Sequence, residues 1–195
     1  MKKVVSIALL ALLGFGGLSA QERTKGEVEI TPFIGYQESF FNGDNVSELD
    51  YRGAIKFSAN VDYFFNDRWS LRSGLIYDSM GGKGFGYEAI LDYLNIPLNA
   101  NWHFGSKRKW NLNFGITPGF LISAKEDKED IKEYLASFQL GTSFGIGYKL
   151  TISENFSLLF DVQNLLGITN IIEKDTFDRL NAGYSFNIGG VFVLQ

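Results

Sequence analysis

The sequence predicts an all-β protein, an eight-stranded antiparallel up-and-down transmembrane β-barrel, and three observations carry that expectation. Alternation of large apolar with small polar residues at period two recurs about eight times along the 195 residues. Aromatics make up 15% of the chain, beside 22 glycines and only 3 prolines, a composition that favours strands and turns. The connections between alternating runs are short and long in turn.

The N-terminus stands apart. Lys2 and Lys3 precede an apolar stretch from Val4 to about Leu13, and small residues then lead to Leu18-Ser19-Ala20. That layout is expected of a secretory signal peptide over residues 1–20, cleaved after Ala20, with the barrel domain over 21–195. A spanning helix needs about 20 apolar residues, more than this stretch supplies. Without Lys2 and Lys3 the chain carries 16 basic and 22 acidic residues, a formal charge of −6, which makes nucleic acid a poor partner. There is no cysteine, which excludes disulfides, thiol catalysis and cysteine metal sites. Asp44, Asn45 and Asp50 lack the spacing of a calcium loop, so neither metal nor cofactor is expected.

Strands are expected at about 27–41, 53–65, 69–79, 91–104, 110–124, 134–150, 156–166 and 178–194. Crossing a bilayer at a tilt takes ~9–11 residues, which each run supplies. In the second, Ile55, Phe57, Ala59, Val61 and Tyr63 alternate with Lys56, Ser58, Asn60 and Asp62. In the sixth, Phe138, Leu140, Phe144 and Ile146 oppose Gln139, Gly141, Ser143 and Gly145. Successive side chains of a strand point to opposite faces, so each strand has one large apolar face and one small polar face. A lipocalin-type barrel turns its apolar face inward, and a membrane barrel turns it to lipid. An eight-stranded barrel has an interior only just wide enough for side chains to fill. The bulky parity is too large for that space, so it belongs outside.

The connections at Asn66-Asp67-Arg68, Gly105 to Lys109 and Thr151 to Asn155 are short, whereas those at about 42–52, 79–90, 125–133 and 167–177 are longer and polar. Short periplasmic turns alternating with long extracellular loops imply an outer-membrane barrel with both termini in the periplasm. Phe65, Trp69, Trp102, Phe104, Trp110, Tyr148 and Phe156 gather beside the short turns as an expected periplasmic aromatic girdle. Tyr36, Phe40, Tyr77, Phe120 and Tyr134 form the expected outer one.

The segments Tyr63 to Tyr77 and Leu91 to Trp102 resemble the PorT-like outer-membrane β-barrel family of Bacteroidetes-type bacteria. The most specific part is Tyr93-Leu-Asn-Ile-Pro-Leu98, which follows a Gly-containing strand and the glycine-rich stretch Gly81-Gly-Lys-Gly84, expected as a loop. The C-terminus, with Asn187, Gly189, Phe192 and Leu194, resembles the signal read by the barrel-insertion machinery, although the chain ends in Leu194-Gln195 rather than an aromatic. The resemblance implies an outer-membrane barrel and little about activity, because one fold serves many functions.

A turn centred on Asp67 places Asp62 opposite Arg72 and Lys56 opposite Asp78, all four on the lumen parity. Glu29, Lys149 and Asp161 share that face, and opposite charges in a narrow, dry lumen need such partners. Bracing of a filled barrel is favoured over a conducting path. His103, the only histidine, also points inward, with Asn111 expected opposite. No base, nucleophile and orienter converge on it in the sequence, so no catalytic residue is expected. The charged run Lys125 to Glu133 reads as a solvated loop.

The resulting expectation is a non-enzymatic barrel in contact with outer-membrane lipids, acting through its loops on another envelope protein or a surface ligand, with secretion or envelope assembly as candidate settings. A small pore is the alternative, and a lipid-modifying barrel enzyme is third.

Overall fold

The computed structural model describes residues 23–44, 46, 49–84, 86–173 and 178–194. The expected signal peptide, residues 1–20, lies outside them. Ten strands follow in order: β1 (Val28–Gly43), β2 (Arg52–Phe64), β3 (Trp69–Gly84), β4 (Tyr87–Asn95), β5 (Leu98–Phe104), β6 (Trp110–Glu126), β7 (Glu129–Asp130), β8 (Phe138–Thr151), β9 (Phe156–Gly167) and β10 (Arg179–Leu194). The strand β7 is a two-residue outrider on β6. Both β4 and β5 pair with β3 on one side and β6 on the other, so together they are one interrupted stave. The wall thus has eight antiparallel staves, closed by β1 pairing with both β2 and β10. Closure removes the free edges that an open sheet exposes.

Three boundaries differ from those expected. The stretch Gly81 to Gly84 is strand, not loop: β3 and β4 run on as one hairpin whose register continues to Gly84↔Tyr87. Glycine suits this place because Gly81 has φ +138° and a Cβ there would lie 1.9 Å from the Ala89 carbonyl oxygen. The fourth stave is broken at Ile96-Pro97, where proline has no N–H for the ladder, and the Ile96 N–H turns to the Pro118 carbonyl at 2.9 Å. The stave after the long 127–137 connection begins at Phe138 rather than Tyr134, because Lys132–Tyr134 coils into a 3-10 turn.

The interior is inverted relative to a water-soluble protein. Among the described residues 26 polar or charged side chains are buried against 13 apolar ones. Ile34, Phe57, Leu75, Phe114, Phe144 and Phe186 are about half exposed on the outer wall. Small inward residues make room for the polar filling: at Gly35 and Gly145 a Cβ would collide with the side chains of Asn187 and Gln163.

Candidate functional site

The lumen filling starts from a turn. The Asn66 side-chain oxygen accepts from the N–H groups of Arg68 (2.9 Å) and Trp69 (3.0 Å), an Asx turn that locks the β2–β3 hairpin. In that register Asp62 and Arg72 are partners. Arg72 Nε donates to Asp62 Oδ2 at 3.0 Å, and its Nη1 reaches Asp161 Oδ2 on β9 at 3.4 Å. Ser70 Oγ and Asn101 Nδ2 each donate to Asp62 Oδ1 at 2.8 Å. Gln163 and Asn187 donate to Asp161 at 2.9 and 3.3 Å. One guanidinium therefore holds opposite walls together, and amide and hydroxyl donors satisfy the remaining carboxylate lone pairs.

A second cluster lies toward the short turns. Lys149 Nζ donates to both oxygens of Glu29 across the lumen, and Arg23 Nε reaches Glu29 Oε1 at 3.1 Å. Arg23 also lies 4.8 Å above the Phe64 ring and donates to the Arg108 carbonyl at 3.3 Å. It precedes the first strand, where no alternation marks a lumen face, and sequence reasoning did not find it. Asn101 and Ser70 were legible in principle, since both stand on lumen parity.

Higher up, Lys56 Nζ meets Asp78 Oδ2 at 3.0 Å, with Asn95 Nδ2 at 2.9 Å from the same oxygen. The seven charged residues expected in the lumen thus fall into three groups: Asp62, Arg72 and Asp161; Glu29 and Lys149; Lys56 and Asp78. Above them Arg52 bridges Glu88 at 3.0 Å and donates to the Ser79 carbonyl at 2.7 Å. The long-loop end is closed by Phe41, Met80, Leu91, Tyr93, Leu121 and Leu165, with Ile131 and Leu135 from the loop packed on top. These six apolar residues share the lumen parity, so alternation alone hides them. The cavity left between this cap and the charge clusters has about 50 Å³ of room, enough for a few waters.

His103 pairs with Asn111 across β5 and β6. Contrary to the sequence reading, a serine and an acid do gather near it: Ser70 Oγ is 3.0 Å from His103 Nε2 and 2.8 Å from Asp62 Oδ1. The hydrogen-bond order differs from that of an acyl-transfer triad, because the Ser70 hydroxyl donates to Asp62, whereas a nucleophile must donate to its base; the direction of its contact with His103 follows the ring tautomer. All three side chains are buried in the wall's interior. Among the described residues no group of three or more His, Cys, Asp or Glu is arranged to hold a metal.

Outside, an aromatic ladder runs along the short-turn end. Trp69 stacks on Trp102 (6.3 Å), Trp102 on Phe104 (4.9 Å), Phe104 on Trp110 (6.4 Å), and Trp110 lies 4.8 Å from Tyr148. Phe65 packs beside Tyr63, and Phe156 beside Phe192. Of the C-terminal residues, Phe192 and Leu194 face outward, whereas Asn187 and Gly189 face the lumen. At the other end Tyr36, Tyr77 and Phe120 lie exposed on the wall, and Phe40 packs on Tyr51 at 5.0 Å. Tyr134 stands off the wall in the 3-10 turn, where a hydrogen bond to the Glu133 carboxylate pushes its pKa up. Among the described residues of the connections 44–51, 127–137 and 168–178 there are eight acids and two lysines.

A family model described as outer membrane protein β-barrel domain matches residues 19–173. No curated protein matches the chain. Among solved structures, the outer membrane protein OprG of Pseudomonas aeruginosa is similar at 12% identity and a TM-score of 0.56, over 89% of this chain and 98% of that one. AlkL, an outer membrane protein solved in lipid bilayers, is similar at 12% identity and a TM-score of 0.54, over 93% and 96%. The neisserial surface protein NspA gives 13% identity and a TM-score of 0.51, over 85% and 96%. At such identities the likeness is one of fold.

Proposed function

The chain belongs to the outer membrane protein β-barrel domain family, and from that premise we propose a non-enzymatic integral scaffold of the outer membrane whose long loops contact a partner. The observation that carries this reading is the filled lumen. Three charge clusters and an apolar cap occupy the space that a channel or an enclosed active site needs. The partner-binding surface is then the long-loop end, with its acidic connections and the β3–β4 hairpin. Another envelope protein or a surface ligand is the partner class, and secretion or envelope assembly is the setting. The Tyr93 to Leu98 segment supports assignment to the PorT-like, Bacteroidetes-type branch. Short turns at 65–68, 105–109 and 152–155 support a periplasmic position for that end and for both termini, with the barrel-insertion machinery reading the C-terminal strand.

The chain has no cysteine of its own, so single cysteines report cleanly. Lys128→Cys and Ser106→Cys are probed in intact cells with a membrane-impermeant maleimide, and then with a cysteine-directed photo-crosslinker. The reading predicts labelling and a defined protein or surface-ligand adduct at position 128, and protection at position 106. Labelling at 106 with protection at 128 reverses the orientation. Labelling at 128 with no adduct contradicts a loop-borne partner.

A further inference from the structure

The short-turn rim differs in charge from the long-loop end. Its connections at 65–68, 105–109 and 152–155, with the lead-in 24–27, carry five basic and three acidic residues, against two and eight at the other end among the described residues; Arg23, just before them, is turned into the lumen on Glu29. The basic residues are not spread evenly. Arg68 immediately precedes Trp69, and Lys109 immediately precedes Trp110. The Arg68 and Lys109 carbonyls accept from the His103 and Lys149 N–H groups at the last rung of each ladder. Each cation thus stands at the strand's foot on the face alternate to the outward tryptophan, with a long stem that reaches around the open strand end. Lys107 lies in the same β5–β6 turn, and Lys25 is drawn to the foot of β2 by the Gly26 N–H bond to the Phe64 carbonyl at 2.8 Å. Asp67 is shared by Arg108 at 3.0 Å and Arg68 at 4.0 Å, and Lys25, Lys107 and Lys109 have no ion pair among the described residues. The acid Glu154 lies in the next turn, between β8 and β9, past the end of the Trp69 to Tyr148 ladder.

We propose that this sector of the rim is a binding site for anionic phospholipid, with Arg68, Lys107 and Lys109 on the phosphodiester head group and the Trp69, Trp102 and Trp110 rings against the glycerol and upper chains. The inference rests on the reading that this wall lies in a bilayer. Charge complementarity names the occupant. Tryptophan rings settle at the depth of lipid head groups, where a cation just beyond them meets the phosphate. Turns of four or five residues cannot lift these cations away from the membrane surface. Each basic side chain near a membrane surface is worth about a five-fold preference for an anionic over a zwitterionic head group, and salt weakens it.

The protein has three tryptophans, and all three stand in this ladder, so intrinsic fluorescence reads this rim alone. The purified full-length protein is placed in phosphatidylcholine vesicles containing matched fractions of chain-brominated phosphatidylglycerol or brominated phosphatidylcholine, and quenching gives their relative binding constants. The expected result is a preference for phosphatidylglycerol at low salt between about five-fold, for one engaged cation, and about a hundred-fold, for all three, that falls toward unity at high salt. It is lost in Arg68→Gln/Lys107→Gln/Lys109→Gln and kept in Lys128→Gln/Lys132→Gln. Equal quenching by the two lipids in the unaltered protein overturns the proposal, as does a preference that the triple substitution or high salt leaves intact. The salt series needs no variant, so it decides even if the triple variant does not fold. Absence of quenching by either lipid overturns the bilayer reading itself.

Discussion

Asp62 and Arg72 face each other across the β2–β3 hairpin with their side chains 3.0 Å apart, and Asp161 approaches the same guanidinium from β9 at 3.4 Å. The pair does more than brace one hairpin. It fastens the second and third staves to the seventh, on the far side of the ring, through a single side chain. Removing that side chain leaves two buried carboxylates without a counter-charge.

Arg72→Met is accordingly expected to lower the unfolding free energy by about 3–5 kcal/mol, the cost of breaking a buried pair from one side. Asp62→Asn should cost less, because Asp161 still opposes the arginine. Urea unfolding in lipid vesicles measures both, and a loss below about 1 kcal/mol for Arg72→Met contradicts the bracing role.

The Glu29 cluster predicts an asymmetry. Glu29→Gln leaves Lys149 and Arg23 as neighbouring like charges, whereas Lys149→Gln leaves Glu29 still paired with Arg23. The first substitution should therefore destabilise by about 1–2 kcal/mol more than the second, read in the same unfolding experiment. Equal losses argue that Arg23 does not share the carboxylate.

Two glycines of the long hairpin should also differ. At Gly81 a side chain meets the Ala89 carbonyl in a left-handed backbone, so Gly81→Ala is expected to cost about 2–3 kcal/mol. Gly86 also has positive φ, +84°, but nothing stands within 4 Å of its Cβ position, and Gly86→Ala should cost only about 1 kcal/mol. Unfolding midpoints rank the two, and the reverse order contradicts the hairpin described here.

These residues mark what a sequence carries and what it conceals. The Asp62 to Arg72 pairing follows from a recognisable turn and strict alternation, both local. Gly81 to Gly84 misleads because glycine is common in loops, and only the partner strand reveals that a close backbone approach requires it here. Pro97 breaks a stave that both neighbours still pair with, a matter of tertiary contact that no periodicity records. The apolar cap escapes alternation for a simple reason: near the long-loop end the lumen parity itself turns apolar, at Met80 between Ser79 and Gly81 and at Leu91 and Tyr93 on either side of Asp92, so the contrast that marks the two faces elsewhere is lost. Arg23 lies before the first strand, and nothing local points it inward.

The Ser70, His103 and Asp62 cluster invites a chemical test. Because Ser70 donates to Asp62 and is 1% exposed, a fluorophosphonate probe should leave it unlabelled in the folded protein. Labelling that disappears in Ser70→Ala contradicts the hydrogen-bond order described and reopens an enzymatic role.

Planar-bilayer recording tests the central claim, a filled and braced lumen, most directly. The purified protein is expected to insert without steady single-channel openings, and Arg72→Met, which loosens the filling, to give at most brief, irregular ones. Steady, uniform openings from the unaltered protein would contradict the account and make the barrel a pore.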